Sequence, residues 1–354
     1  MQFSIKYRPQ KFSEVVGQPV ATRILSNSIK MGQVPAALAL FGMYGCGKTT
    51  LARIYAKALN CSNFDGEPCG VCESCKNIQS GTSQCVLEYD AASHSGVDDA
   101  REFEELVSFS ASGAYRVIIL DECHMLTKAA QSVLLKLLEE PREKTLFVLV
   151  TTEVSKLEDT VLSRCLRVDL RPIGVPDIEK SIRHILSSEG VTFTEGFLAK
   201  LAQNSTGALR DTQQVLEQLV LQADGALTEE TLDNALGLTP TKVYRDLAYL
   251  LNTRNVSEFL SSIRSWYVDG VDLSNLFMDG VPRIARDFIL CLSDAEVGSP
   301  YSGISLDTMR RNLTLTYKDV KSMLELWGSH WEIMKSTVFP KIVWETFAVS
   351  YCDG

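Results

Sequence analysis

The sequence has no long hydrophobic run. None of its apolar stretches reaches the roughly 18 residues that a membrane-spanning helix needs, so no membrane partner is expected. The first residues, MQFSIKYRPQKF, lack an apolar core followed by a small-residue cleavage site and do not read as an export signal. The expected compartment is the cytoplasm. An excess of positive charge is missing too: the formal net charge of −9 excludes a generally basic nucleic-acid coat. A local basic groove remains open, because residues 1 to 60 carry eight Lys and Arg against the single acid Glu14. There is no internal repeat and no low-complexity tail, which excludes a solenoid or a disordered linker protein.

What is present is a chain of 354 residues, 45% hydrophobic and 22% charged, the composition of a globular protein with two or three cores. The apolar run VPAALALF stops at GMYGCGKTT and resumes with helical spacing in LARIYAKAL, a strand, a glycine loop and a helix. YRVIILDECH and TLFVLVTT are two further buried-strand patterns, with the helical AAQSVLLKLLEE between them, so a parallel α/β sheet is expected. Beyond RPIGVP the strand signal fades into short amphipathic helices. GLTPT, residues 237 to 241, is a plausible hinge to a third, all-helical segment.

The loop Gly42-Met43-Tyr44-Gly45-Cys46-Gly47-Lys48-Thr49 fits GxxxxGK[ST]. Phosphates need backbone N–H groups that all point inward, which favours glycine, followed by the positive end of a helix. Lys48 is expected to reach the β- and γ-phosphates of ATP and Thr49 to bind Mg²⁺, with Gly42, Gly45, Cys46, Gly47 and Thr50 in the same phosphate-facing stretch. The thiols of Cys46 and Cys123 read as small buried hydrophobes. Asp121, at the end of the second strand, is expected to hold the magnesium through water, and Glu122 to polarise the attacking water. His124 reads equally as an orienting or a structural residue.

Four of the ten cysteines fall in NCSNFDGEPCGVCESC, residues 60 to 75, at the spacing C-x7-C-x2-C-x2-C. Four such thiols form two disulfides, bind one metal ion or stay inert. A reducing compartment favours the metal.

YRPQKFSEVVGQ, the glycine loop, the four-cysteine insert, EYDAASHSGVDDAREF, DECHMLTKAAQSVLLKLLEEP, VTTEVSKLEDTVLSRC and GALRD follow one another in the order of the tau/gamma subunits of the bacterial DNA polymerase III clamp loader. The sequence resembles that family from about residue 4 to 236, and in helical pattern to the end. The resemblance implies an α/β P-loop AAA+ domain with a zinc insert at 61–75 over residues 1–172, an all-α lid over 173–236 and an all-α collar over 237–354. It makes Cys61, Cys69, Cys72 and Cys75 ligands of a structural Zn²⁺ ion. Cys85, Cys165, Cys291 and Cys352 lie outside that spacing and are expected to be ordinary residues.

The resemblance also gives Thr152 a place beside the attacking water or γ-phosphate, makes Arg164 a finger that acts in trans on a neighbour's ATP, and puts Arg210 on the lid as a reporter of bound nucleotide. Tyr7, Arg8, Pro9 and Val16 correspond to a segment around adenine and ribose. Ser93, Ser95 and Arg101 are candidate contacts to primer–template DNA, and Leu106 and Phe109 to the sliding clamp. The implied activity is ATP hydrolysis that times release of a clamp onto DNA, within a ring or spiral, pentameric, of clamp-loader subunits. The implied setting is the bacterial cytoplasm or nucleoid, an infected host cell included. Two rival readings are another AAA+ DNA-processing ATPase, such as a helicase loader or branch-migration motor, and a non-hydrolysing scaffold.

Overall fold

The computed structural model describes residues 2–93, 115–222, 225–236, 239–293, 300, 302 and 304–353. The chain forms two compact units, Met1–Glu229 and Glu230–Gly354. Among its described residues the first has five strands in one sheet: β1 (Ala37–Phe41), β2 (Val86–Asp90), β3 (Arg116–Asp121), β4 (Thr145–Thr151) and β5 (Leu166–Asp169). Their order is β2-β3-β4-β1-β5, and every pairing is parallel.

Both faces of this sheet are covered, which is why its central strands read as unbroken apolar runs. Alternation along each strand sends Leu38, Leu40, Val117, Ile119, Leu146, Val148 and Val150 into one core. There they meet helices α1 (Pro19–Lys30) and α2 (Lys48–Leu59). Ala37, Ala39, Ile118, Leu120, Phe147 and Leu149 face the opposite core. That side is closed by Ala130, Leu134 and Leu138 of helix α4 (Lys128–Glu139), and by Leu157 and Val161. The cysteine-rich insert follows α2 and carries its own short helix, α3 (Glu73–Ser80).

After β5 the chain turns helical, with α5 (Val175–Glu189), α6 (Glu195–Gln203) and α7 (Leu209–Gln222). Ile178, Ile182, Ile185, Phe197, Leu198 and Leu216 are buried, the apolar face expected from their 3–4 spacing. The hydroxyl of Tyr7 donates to Glu189 at the end of α5, and the Phe3 N–H donates to Glu217 of α7 at 3.1 Å. The amino-terminal residues are therefore tied to these helices as well as to the sheet.

The second unit is all helical and centred on Trp344, fully buried among Phe259, Trp266, Phe277 and Phe347. Its run Leu273–Leu292 passes through a π-helical turn at Leu276–Gly280, immediately before Pro282. Proline has no N–H to donate and its ring presses on the carbonyl four residues earlier, so a widened turn relieves the clash. Two indoles take up carbonyls of this stretch: Trp344 donates to Leu273 and Trp327 to Phe277, each at 2.8 Å. Among the described residues no helix is long and apolar enough to cross a membrane.

Candidate functional site

The carboxyl ends of β1, β3 and β4 meet at one side of the sheet, the side where ligands bind in open parallel sheets. A cavity of about 470 Å³ opens there, lined among others by Lys48, Thr49, Asp121, Glu122 and Arg210. The strand order explains the convergence. β4 lies between β1 and β3, so the residues that follow it stand between the glycine loop and the acids.

The loop's shape requires glycine where the sequence places it. Gly47 has φ 101° at the amino cap of α2, a left-handed conformation that a side chain resists. Gly45 has φ 74°, and a Cβ there would stand 3.0 Å from that of Ala208, at the foot of the helical segment. Lys48 is buried, and its ammonium donates to the carbonyls of Gly42 and Met43 at 2.9 Å. The Thr49 hydroxyl donates to Asp121 Oδ2 at 2.7 Å. Two residues 72 apart in sequence thus offer a hydroxyl and a carboxylate at one point. This hard oxygen pair fits a magnesium ion that keeps most of its water.

Glu122 sits at φ 46°, ψ 42°, a strained conformation for a non-glycine residue of the kind found at functional sites. Its N–H donates to Asp121 Oδ1 at 3.0 Å, and its Oε2 accepts from Thr152 Oγ1 at 3.4 Å. His124 joins the cluster: its Nδ1 is 3.0 Å from Thr151 Oγ1 and 3.3 Å from Glu122 Oε2. Sequence reasoning left His124 open, and its partners show a side chain that orients the end of β3 against the end of β4.

Arg8, Pro9, Val16, Cys46 and Thr50 line the cavity. Cys46 and Cys123 are both buried, and burial pushes both thiols up. Arg210 also reaches the cavity, its guanidinium 5.6 Å from the centre of the Tyr44 ring. Tyr7 and Thr152 are not among the lining residues; Tyr7 bonds to Glu189 and Thr152 to Glu122. Arg164 is also outside it, held by Glu139 at 2.9 Å and by the Thr160 carbonyl at 2.7 Å, with its side chain more than a third exposed. Ser93 donates to Asp90 at 2.7 Å. Ser95, Arg101, Leu106 and Phe109 lie outside the described residues.

The sequence reading missed several lining residues. Arg53 forms a bidentate pair with Glu88, a strand residue whose only sequence signal is an acid inside an otherwise apolar run. Leu209 and Gln213 enter from α7, two turns that look purely amphipathic in sequence. Burial lowers the Arg8 guanidinium, and the charges of Arg53 and Arg210 lower it further while Glu88 opposes them; with Lys48, four cations line this cavity beside four acids, Glu88, Asp90, Asp121 and Glu122. The cations among them attract a polyanion.

The sulfurs of Cys61, Cys69, Cys72 and Cys75 all lie within 4.8 Å of one another. None forms a disulfide. The backbone N–H groups of Cys69, Cys72 and Cys75 donate to the sulfurs of Cys61, Cys69 and Cys72 at 3.3, 3.3 and 3.5 Å. The N–H groups of Cys72 and Val71 hold the Cys69 thiol below its ordinary value. Burial works to raise Cys72, but the N–H groups of Cys75 and Ser62 outweigh it and hold that thiol down at about 6. Donors aimed at sulfur stabilise thiolate, the form that binds metal, at Cys69 and Cys72, whereas burial pushes the Cys75 thiol up; four sulfurs in this space fit a closed tetrahedral zinc site.

A family model described as "DNA polymerase III, delta subunit" matches residues 17–174. DNA polymerase III subunit gamma of Buchnera aphidicola subsp. Baizongia pistaciae is 38% identical over 251 residues, 70% of this chain and 67% of the relative. Subunit tau of Bacillus subtilis is 33% identical, covering 98% of this chain and 62% of the relative, and subunit tau of Escherichia coli is 32% identical, covering 89% and 50%. The chain thus spans half to two thirds of the length of these relatives. Among solved structures, two RuvB mutants from Thermotoga maritima are similar at 17% identity. One has a TM-score of 0.51 over 77% of this chain and 88% of its own, the other 0.50 over 90% and 98%. They show the fold alone, and it is the α/β architecture that the family resemblance led one to expect. With the motifs in order along one parallel sheet and such relatives matched over most of the chain, this protein belongs to the DNA polymerase III tau/gamma family.

Proposed function

We propose that the chain is an ATP-hydrolysing subunit of a sliding-clamp loader, working with other loader subunits on a clamp and primer–template DNA. The observation that carries this reading is the meeting of Thr49 with Asp121 at 2.7 Å beside Glu122, inside a cavity that Arg210 also lines. In this reading Lys48 turns from the loop carbonyls to the β- and γ-phosphates, exchanging two neutral acceptors for charged ones. Thr49 and Asp121 would hold Mg²⁺, which supplies charge neutralisation on the phosphates. Glu122, held by Thr152, takes a proton from the attacking water as general base. Tyr7, Arg8, Pro9 and Val16 belong to the segment that encloses adenine and ribose. Arg210, on α7, couples the helices of residues 173–236 to the phosphates as a lid. Arg164, exposed and outside its own cavity, acts on the ATP of an adjacent subunit, where developing charge rewards an added guanidinium. The helices of residues 237–354 would form the collar that joins subunits.

The test is phosphate release by the purified chain with its loader partners, with and without a clamp and primed DNA. Stimulation that needs both supports the proposal. ATPase activity indifferent to the clamp assigns the chain to another AAA+ machine, and no hydrolysis in the assembled complex assigns it to a scaffold.

A further inference from the structure

The amino-terminal residues that line the nucleotide cavity, Arg8, Pro9, Val15 and Val16, are fixed from behind by the cysteine-rich insert. Glu67, two residues before Cys69, accepts the Phe12 N–H on one carboxylate oxygen at 2.7 Å and the Ser13 N–H on the other at 2.9 Å. Next to it the Gly66 carbonyl accepts from Ser26 of α1 at 3.0 Å. The same wall is also held from α2, by Lys57. Its side chain is 2% exposed and donates to Gln10, whose own amide donates to the Arg8 carbonyl at 3.0 Å.

We infer that the insert is a brace for the wall against which the base and sugar of ATP pack: the metal-closed loop fixes Glu67, Glu67 fixes Phe12 and Ser13, and zinc loading thereby tightens nucleotide binding. The inference rests on the nucleotide-site reading and adds to it a positioning residue and a linkage between two sites. The insert is too small to bury a core of its own, so without metal the Ser26 bond to the neighbouring Gly66 carbonyl is left to hold the loop that carries Glu67. The wall would then have to be ordered by the nucleotide itself, at the nucleotide's expense. The triphosphate is held by the glycine loop, which the insert does not touch through any of these bonds.

Calorimetric titration of the full chain with Mg-ATP and, separately, with Mg-tripolyphosphate separates the two parts. The samples are zinc-loaded wild type, chelator-treated wild type, Glu67→Ala and Glu67→Gln. Hydrogen exchange is read at Phe12 and Ser13, and folding is checked by circular dichroism. The expected result is ATP binding weakened about tenfold by Glu67→Ala and by metal removal. Glu67→Gln, which keeps an acceptor oxygen, should fall between, tripolyphosphate affinity should not change, and both amides should exchange faster. Unchanged ATP affinity in folded Glu67→Ala or in metal-free protein overturns the inference, as does an equal loss for tripolyphosphate. If Glu67→Ala does not fold, Glu67→Gln decides by the same comparison. A wild type that binds neither ligand overturns the nucleotide reading instead.

Discussion

Glu122 shows how much of this site depends on one backbone angle. In the left-handed region its carboxylate is turned toward Thr152 and His124, where an ordinary strand exit would direct it away from them. Glu122→Gln keeps the shape and removes the base, so hydrolysis by the assembled complex should fall about 10²- to 10⁴-fold while ATP binding persists. Phosphate release and nucleotide titration on the same preparation check both halves. The identities of Lys48, Thr49, Asp121 and Glu122 were readable from local spacing, because a phosphate loop and a strand-end acid pair are each contained in a few consecutive residues. The partners of His124 and Tyr7 were not. Thr151 is 27 residues from His124 and Glu189 is 182 from Tyr7, and nothing local marks either pair.

At the scale of elements, the π-turn of the second unit and the cysteine insert solve different problems. The π-turn makes room for Pro282, and two indoles donate to carbonyls beside it, Trp327 to Phe277 within the turn and Trp344 to Leu273 just before it. Trp344→Phe retains a ring but removes one of the two donors to the Leu273 carbonyl, which keeps the Leu276 N–H, and should cost about 1 kcal/mol. All four tryptophans lie in this unit, so a lower urea midpoint in tryptophan fluorescence, with unchanged slope, reads the loss there. The insert instead depends on its sulfurs. Chelation should melt α3, Glu73–Ser80, and leave the sheet intact, since the buried residues of both sheet cores come from outside the insert, whose Phe64 packs only partly buried against one of them. Hydrogen exchange resolves the two regions. The spacing of the cysteines made a metal site legible, but the attachment of Glu67 to Phe12 joins residues 55 apart and becomes visible only in the fold.

For the whole molecule, the sequence announced strands and helices but not the strand order. A parallel sheet of five strands admits many orders, and the one adopted, β2-β3-β4-β1-β5, depends on helix packing across both faces. Whether catalysis crosses between subunits is likewise a property of the assembly. Arg164 is tied to Glu139 and the Thr160 carbonyl at the surface. An Arg164→Ala chain and a Lys48→Ala chain should each be inactive in a homogeneous assembly. Mixed together they should recover part of the phosphate release, because an intact pocket then meets an intact finger. Activity that stays absent in a folded mixed assembly would exclude sharing.

The intervening position of β4 has a mechanical corollary. Neighbouring strands are spaced by about 4.8 Å, so the backbone that carries the loop and the backbone that carries Asp121 stand two such steps apart, roughly 10 Å. That interval belongs to the hydrogen-bond ladder and not to any side chain. Trimming Val148 or Leu149 would soften the domain yet leave the reaction gap at its original width, whereas inserting one residue into β4 would displace Thr151 and Thr152 from His124 and Glu122.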